Sequence, residues 1–163
     1  MKIAIFPGSF DPITVGHVDL IERSSLLFDK VIISIGQNTQ KKYLFSLKQR
    51  KEWLKKIAKK YPNVEVAHYK GLTVNFATKQ KAGFLVRGLR NASDFDYEKT
   101  ISQLNNIIGK GVETVFFIAK PGMSHISSTI VREIIKGKGD VSEFVPAPIY
   151  NCLLYTSPSP RDS

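Results

Sequence analysis

Lys2-Ile3-Ala4-Ile5-Phe6-Pro7-Gly8-Ser9-Phe10-Asp11-Pro12-Ile13-Thr14-Val15-Gly16-His17 is the stretch that decides how this chain folds. Ile3-Ala4-Ile5-Phe6 is apolar throughout rather than alternating, which suits a strand covered on both faces of a parallel sheet. Pro7-Gly8 stops it, and Gly8 with Pro12 punctuates a tight loop. A helical period follows over 16–28, carried by Val18, Ile21, Leu26 and Phe28. His17 falls in the first turn of that helix, where free N–H groups and the helix dipole attract anions. Gly16 lets a ligand come close to the backbone.

The same alternation continues along the chain. Strands are predicted over 2–6, 30–35, 64–69, 84–87 and 114–119, all rich in Val, Ile and Phe. Helices are predicted over 16–28, 46–60, 72–81, 95–108 and from Ser127–Ser128 to Lys136. Ser46 and Gln49 read as a capping box at the second helix. The order βαβαβαβαβα predicts a single α/β domain over 1–150, a Rossmann-like, doubly wound, five-stranded parallel sheet. Ligands of such sheets bind beyond the carboxyl ends of the strands, where the strand order reverses.

Composition narrows the function classes. With 24 Lys and Arg against 14 Asp and Glu, the net charge is +10, so anionic partners are expected. Cys152 is the single cysteine, which excludes a disulfide scaffold and suits a reducing cytoplasm. No apolar run approaches the roughly 20 residues of a membrane span, and 3–6 is too short for a secretory core. Lys48, Arg50, Lys51, Lys55, Lys56, Lys59 and Lys60 read as the solvated face of a helix, in preference to a nucleic-acid surface. Residues 151–163 read as a non-native or disordered tail, set aside together with Cys152.

Three strand ends carry anion-binding chemistry. The first is the loop to His17. The second is Arg87-Gly88-Leu89-Arg90-Asn91, where guanidinium forks suit phosphate. The third is Met123-Ser124-His125-Ile126-Ser127-Ser128-Thr129, hydroxyls and N–H groups at a helix start, which simple capping also explains. No Walker loop, dinucleotide fingerprint or zinc spacing is present.

GSFDPITVGH at 8–17, RGLRN at 87–91 and ISSTIVRE at 126–133 resemble the motifs of the nucleotidyltransferase superfamily with a Gly-His pair. Within it, Thr14 and the pairing of Arg87-Gly88-Leu89-Arg90 with Asp94-Phe95-Asp96-Tyr97-Glu98 resemble the bacterial phosphopantetheine adenylyltransferases, from Lys2 to about Pro146. Phe6, Ser9 and Val15 stand where that family more often has Tyr, Thr and Asn. Its C-terminal helix looks replaced by the tail. Cytidylyl- and nicotinate-type transferases are the alternatives within the superfamily.

The resemblance implies adenylyl transfer from ATP to 4′-phosphopantetheine, giving dephospho-coenzyme A and pyrophosphate without a covalent enzyme intermediate. It implies His17 and Lys41 as catalytic residues, with Lys42 the substitute for Lys41. Ser9, Phe10, His17, Gly88, Leu89, Arg90, Glu98, Met123, Ser124, His125, Ile126, Ser127, Ser128 and Thr129 would bind ATP. Ser9, Lys41, Thr73 and Arg87 would bind the acceptor. It further implies Mg2+ as cofactor without designated protein ligands, a homohexamer, a cytoplasmic location, and no nucleic-acid or membrane partner.

Overall fold

The computed structural model describes residues 1–155. Strands β1 (Ile3–Gly8), β2 (Lys30–Gln37), β3 (Val64–Lys70), β4 (Phe84–Leu89) and β5 (Glu113–Ile118) pair in parallel, in the order β3-β2-β1-β4-β5. Helices α1 (Val15–Leu27), α2 (Leu47–Ala58), α3 (Thr73–Lys79), α4 (Ala92–Ile108), α5 (Ser128–Lys136) and α6 (Ala147–Tyr155) complete the α/β domain. The five expected strands and five expected helices are present, with ends shifted by a few residues. Pro7 removes one donor but does not end β1, which stays in register with β2 up to Gly8 opposite Ile35.

The apolar strands feed two cores, because alternate residues of a strand face opposite sides. Ala4, Phe6, Val31, Ile33 and Ile35 pack with Ile21 of α1, Leu54 and Ile57 of α2 and Ile149 of α6. Ile5, Ile32 and Leu85 pack on the other side with Val74 and Ala77 of α3. Each fully buried Ile or Leu contributes about 1.5–3 kcal/mol. Both faces are thus covered, as the continuous apolar runs require. Helix α4 crosses β4 and β5, and its one buried residue is Glu98.

Two expectations need correction. Asn151–Tyr155 are not part of a structureless tail: they complete α6, and Cys152 and Leu153 pack against the main core. Pro146 and Pro148 hid this short helix from its period, although proline is tolerated in a first helical turn, where its missing N–H has no intrahelical partner. The rest of that tail, residues 156–163, lies outside the described residues. Arg50 is not on a solvated face either; it is 3% exposed.

Candidate active site

The strand order reverses between β1 and β4, so the connections leaving their carboxyl ends diverge. A cleft of ≈ 320 Å³ opens there, where doubly wound sheets bind ligands. Of the residues singled out in the sequence, Ser9, Phe10, His17, Lys41, Arg87, Gly88, Leu89, Arg90, Glu98, Met123, Ile126, Ser127, Ser128 and Thr129 line it. Ser124 and His125 do not. They are exposed beside it, the His125 ring edge-on to Phe144 at 6.3 Å. Thr73 lines a second cavity of ≈ 390 Å³ between α4 and the sheet, together with Tyr69, Tyr97, Ile101 and Asn105. The two cavities meet at Pro7, Gly8, Ser9, Arg87 and Glu98.

The β1–α1 loop is irregular, so side chains must satisfy its backbone. The carbonyl of Pro7 accepts from Arg87 Nη1 at 3.1 Å, that of Ser9 from Arg50 Nη1 at 2.9 Å, that of Asp11 from Arg132 Nη1 at 2.8 Å and that of Pro12 from Ser128 Oγ at 2.7 Å. Four residues from three elements thereby hold one loop. Phe10 sits at φ 50°, left-handed for a non-glycine, and its ring is buried edge-on to Phe6 and His17. Gly8 leaves room for that ring: a Cβ there would meet it at 3.0 Å, so Phe10 would have to shift by a few tenths of an ångström.

His17 is held by its own helix start. Thr14 is the N-cap of α1, and its backbone N–H donates to His17 Nδ1 at 3.0 Å. The Thr14 hydroxyl accepts from His17 N at 3.3 Å. This is a capping box in which His replaces the usual Glu or Gln. Because Nδ1 accepts, the neutral ring carries its proton on Nε2 and offers that N–H to a ligand. Burial, then the charges of Arg87 and Arg90, lower the His17 pKa to about 4.

That shift predicts a pH effect on stability. The unfolded chain takes up the proton near pH 6.5, before the folded one does, so stability is full above 6.5 and is lost as pH falls towards 4. The loss is at most about 3 kcal/mol, because the ring borders an open cleft. The Tm of wild type should fall more steeply between these values than that of His17→Gln. Equal slopes would remove His17 as the cause.

The rest of the rim is cationic but already partly committed. Arg87 forks onto Glu98, Nη2 to Oε1 at 2.6 Å and Nε to Oε1 at 3.1 Å, and with Pro7 this leaves two of its N–H groups for a ligand. Arg90 pairs with Asp94 at 3.1 Å. Burial pushes the Asp94 pKa up, but the hydrogen bonds and charge of Arg90 outweigh it and leave the carboxyl below its ordinary value. Lys41 Nζ reaches Ser9 Oγ at 3.1 Å. The α5 hydroxyls are partly engaged: Ser127 accepts from Ile130 N as the N-cap, Thr129 accepts from Arg132, and Ser128 alone spends its O–H, on the carbonyl of Pro12, so the O–H donors of Ser127 and Thr129 remain for an anion. The capping reading holds for Ser127 alone. Beside those hydroxyls, α5 offers an anion its first N–H groups, which lack intrahelical partners.

Four positions that shape the cleft or its loops were not among the expected site residues. Thr14 had a signal, a threonine three residues before His17 in capping-box spacing. Arg132 had its place in the 126–133 motif, and Asp19 had no signal. Asp19 is buried on the cleft wall, with Arg23 Nη1 and Lys120 Nζ each 3.0 Å from one of its oxygens. The Lys120 contact lacks hydrogen-bond geometry, so Oδ1 accepts none. Arg50 was hidden among lysines.

A sequence profile of the cytidylyltransferase-like family matches residues 5–134. The chain is 49% identical over 149 residues to the phosphopantetheine adenylyltransferase of Flavobacterium psychrophilum, covering 91% of this chain and 98% of that one. It is 52% identical over 148 residues to that of Cytophaga hutchinsonii, covering 91% and 99%. The fold is similar to the nicotinic acid mononucleotide adenylyltransferase of Plasmodium falciparum in complex with NaAD, with a TM-score of 0.69, 15% identity and coverage of 94% and 95%. Family profile, relatives near half identity and a nucleotidyltransferase fold agree: the chain belongs to the cytidylyltransferase-like family and, within it, to the phosphopantetheine adenylyltransferases.

Proposed function

We propose that this chain transfers the adenylyl group of ATP to the phosphate of 4′-phosphopantetheine. An acceptor phosphate oxygen forms the new bond to the α-phosphorus, the α–β bridging bond breaks, and pyrophosphate leaves with the electron pair. The acceptor is a monoester with a second pKa of about 6, so it is already dianionic at neutral pH and needs no protein base. Catalysis is then alignment and charge stabilisation. His17 donates Nε2–H to an α-phosphate oxygen as charge builds. Lys41 bridges the attacking phosphate and the nucleotide, and Ser9 holds both. The two N–H groups left on Arg87 clamp the acceptor phosphate, with Thr73 further along the second cavity. Gly88, Leu89 and Arg90 hold the nucleotide, and the N–H groups at Ser127–Thr129 hold the leaving phosphates.

The observation that carries this reading is the junction of two cavities at Ser9 and Arg87, one beneath His17 and the other running under α4. Two anionic reactants can meet there end to end. The test is pyrophosphate release. Release with ATP and 4′-phosphopantetheine is expected; release with nicotinate mononucleotide or a choline phosphate acceptor in its place would overturn the assignment.

Magnesium belongs with the polyphosphate. Among the described residues no three His, Cys, Asp or Glu could hold a metal. The rim carboxylates Asp19, Asp94 and Glu98 are each engaged by a cation. That set does not fit a protein-held Mg2+, which commonly keeps waters and substrate phosphates as ligands. We also propose self-association through α4 and the edge strand β5, where Leu104, Ile107, Ile108 and Ile118 are exposed. Ile107→Glu should lower the mass in solution. No helix among the described residues is long and apolar enough to cross a membrane, and a cytoplasmic location suits an enzyme that consumes ATP.

Gly16 supplies a separable prediction. It lines the cleft, and a Cβ there would make ordinary contact with Thr14 Oγ1 at 3.5 Å. The fold therefore tolerates Gly16→Ala, and alanine favours the helix by up to about 1 kcal/mol. Tm should hold or rise, while kcat/KM falls about tenfold or more, since small displacements of a bound reactant are costly. An unchanged kcat/KM would place the ligand elsewhere.

A further inference from the structure

Arg50 stands in a helix of solvated lysines and yet is buried. A buried guanidinium is unfavourable unless its donors and charge are satisfied. Its Nε donates to the carbonyl of Phe45 at 3.0 Å and its Nη1 to that of Ser9 at 2.9 Å, and its guanidinium stacks 4.0 Å from the Tyr43 ring centre. Asp11, 1% exposed, completes the joint. Its two oxygens accept from the N–H groups of Leu44 at 2.8 Å and Phe45 at 2.9 Å. Burial pulls the Arg50 pKa below its ordinary value, and the nearby Asp11 charge counters that.

These four hydrogen bonds join two loops distant in sequence. One is the β1–α1 loop, through Ser9 and Asp11. The other is the 38–46 connection between β2 and α2, through Leu44 and Phe45. Lys41 lies on that second loop. It is exposed, and a free lysine side chain carries about 2 kcal/mol of rotamer entropy. Its ammonium nevertheless sits 3.1 Å from Ser9 Oγ. Neither Arg50 nor Asp11 lines the cleft.

We infer that Arg50 and Asp11 are positioning residues: together they lock the 38–46 connection onto the β1–α1 loop and so hold the Lys41 ammonium at Ser9, where the reactants meet. This rests on the functional reading above for its kinetic consequence, but the lock is a structural claim with its own readouts. Trp53 is the single tryptophan, with its ring centre 4.8 Å from that of Phe45, so its fluorescence reports on the joint. Trypsin cleavage after Lys41 and Lys42 reports on the loop.

The test compares wild type, Arg50→Gln, Lys41→Ala and the double variant. In Arg50→Gln, cleavage after Lys41 and Lys42 should accelerate and Trp53 emission should shift, with helical circular dichroism retained. Its kcat should fall about 10–100-fold with KM for ATP within about twofold, as expected of a misplaced group. In the Lys41→Ala background the same change should lower kcat by less than about twofold, because residues acting through one another are not additive. A full kcat penalty without Lys41, or unchanged cleavage, overturns the inference. If Arg50→Gln does not fold, Arg50→Lys replaces it. This variant keeps the charge and can reach one carbonyl; an intermediate loss supports the lock, and wild-type cleavage and kcat overturn it. Should wild type release no pyrophosphate from ATP and 4′-phosphopantetheine, the functional reading fails, while cleavage and Trp53 emission still judge the lock.

Discussion

His17→Ala should lower kcat by about 10²–10³, the usual effect of removing one donor aimed at developing charge, and should change ATP affinity much less. The imidazole is neutral and its Nδ1 is engaged by the Thr14 N–H, so Nε2–H is the donor available to the α-phosphate. The alanine variant also loses half of a capping box, a stability cost of about 1 kcal/mol. His17→Gln separates the two roles, because glutamine is an ordinary partner at that capping position. It should keep the Tm of the wild type and still lose at least about tenfold in turnover. Equal losses in kcat and in ATP binding would make His17 a ground-state contact instead.

Arg87→Ala should be the second large effect. Two charge-assisted hydrogen bonds to the acceptor phosphate, at about 1.5–2 kcal/mol each, correspond to about 10²–10³ in kcat/KM for 4′-phosphopantetheine. The same change strands Glu98, whose side chain is 10% exposed and whose carboxylate would lose its fork. Leaving that group unpaired costs about 1–3 kcal/mol, less than for a fully buried pair because Arg87 is 36% exposed. Adding Glu98→Gln to Arg87→Ala should therefore restore stability without restoring activity. Recovery of both would show that Arg87 serves only the fold, and loss of neither in Arg87→Ala would remove it from both roles.

Much of the site was legible because it lies in contiguous loops after strands. The His17 loop, Arg87–Arg90 and Ser127–Thr129 could be found from strand ends alone, and the strand order carries them to one rim. What could not be read was which groups the fold itself consumes. The hydroxyls of Ser127, Ser128 and Thr129 read alike in the sequence; in the structure Ser128 spends its O–H on the β1–α1 loop, while Ser127 and Thr129 only accept and keep theirs. Arg87 looked like a free clamp and is half committed to Glu98. Arg50 looked like one more surface cation, since nothing local distinguishes an arginine that will meet the carbonyl of a residue forty-one positions earlier.

From its order of residues alone, this chain determined the alternation of buried strands and helices, because apolar period and turn residues act over short range. It also marked out the three loops after strands that line the cleft, for the same reason. The tertiary structure decided which donors remain open, since that depends on which carbonyls and carboxylates arrive from elsewhere, and hydrogen bonds are exclusive and short. It also joined the two cavities at Ser9 and Arg87, a meeting that only the packing of α4 above the sheet could create.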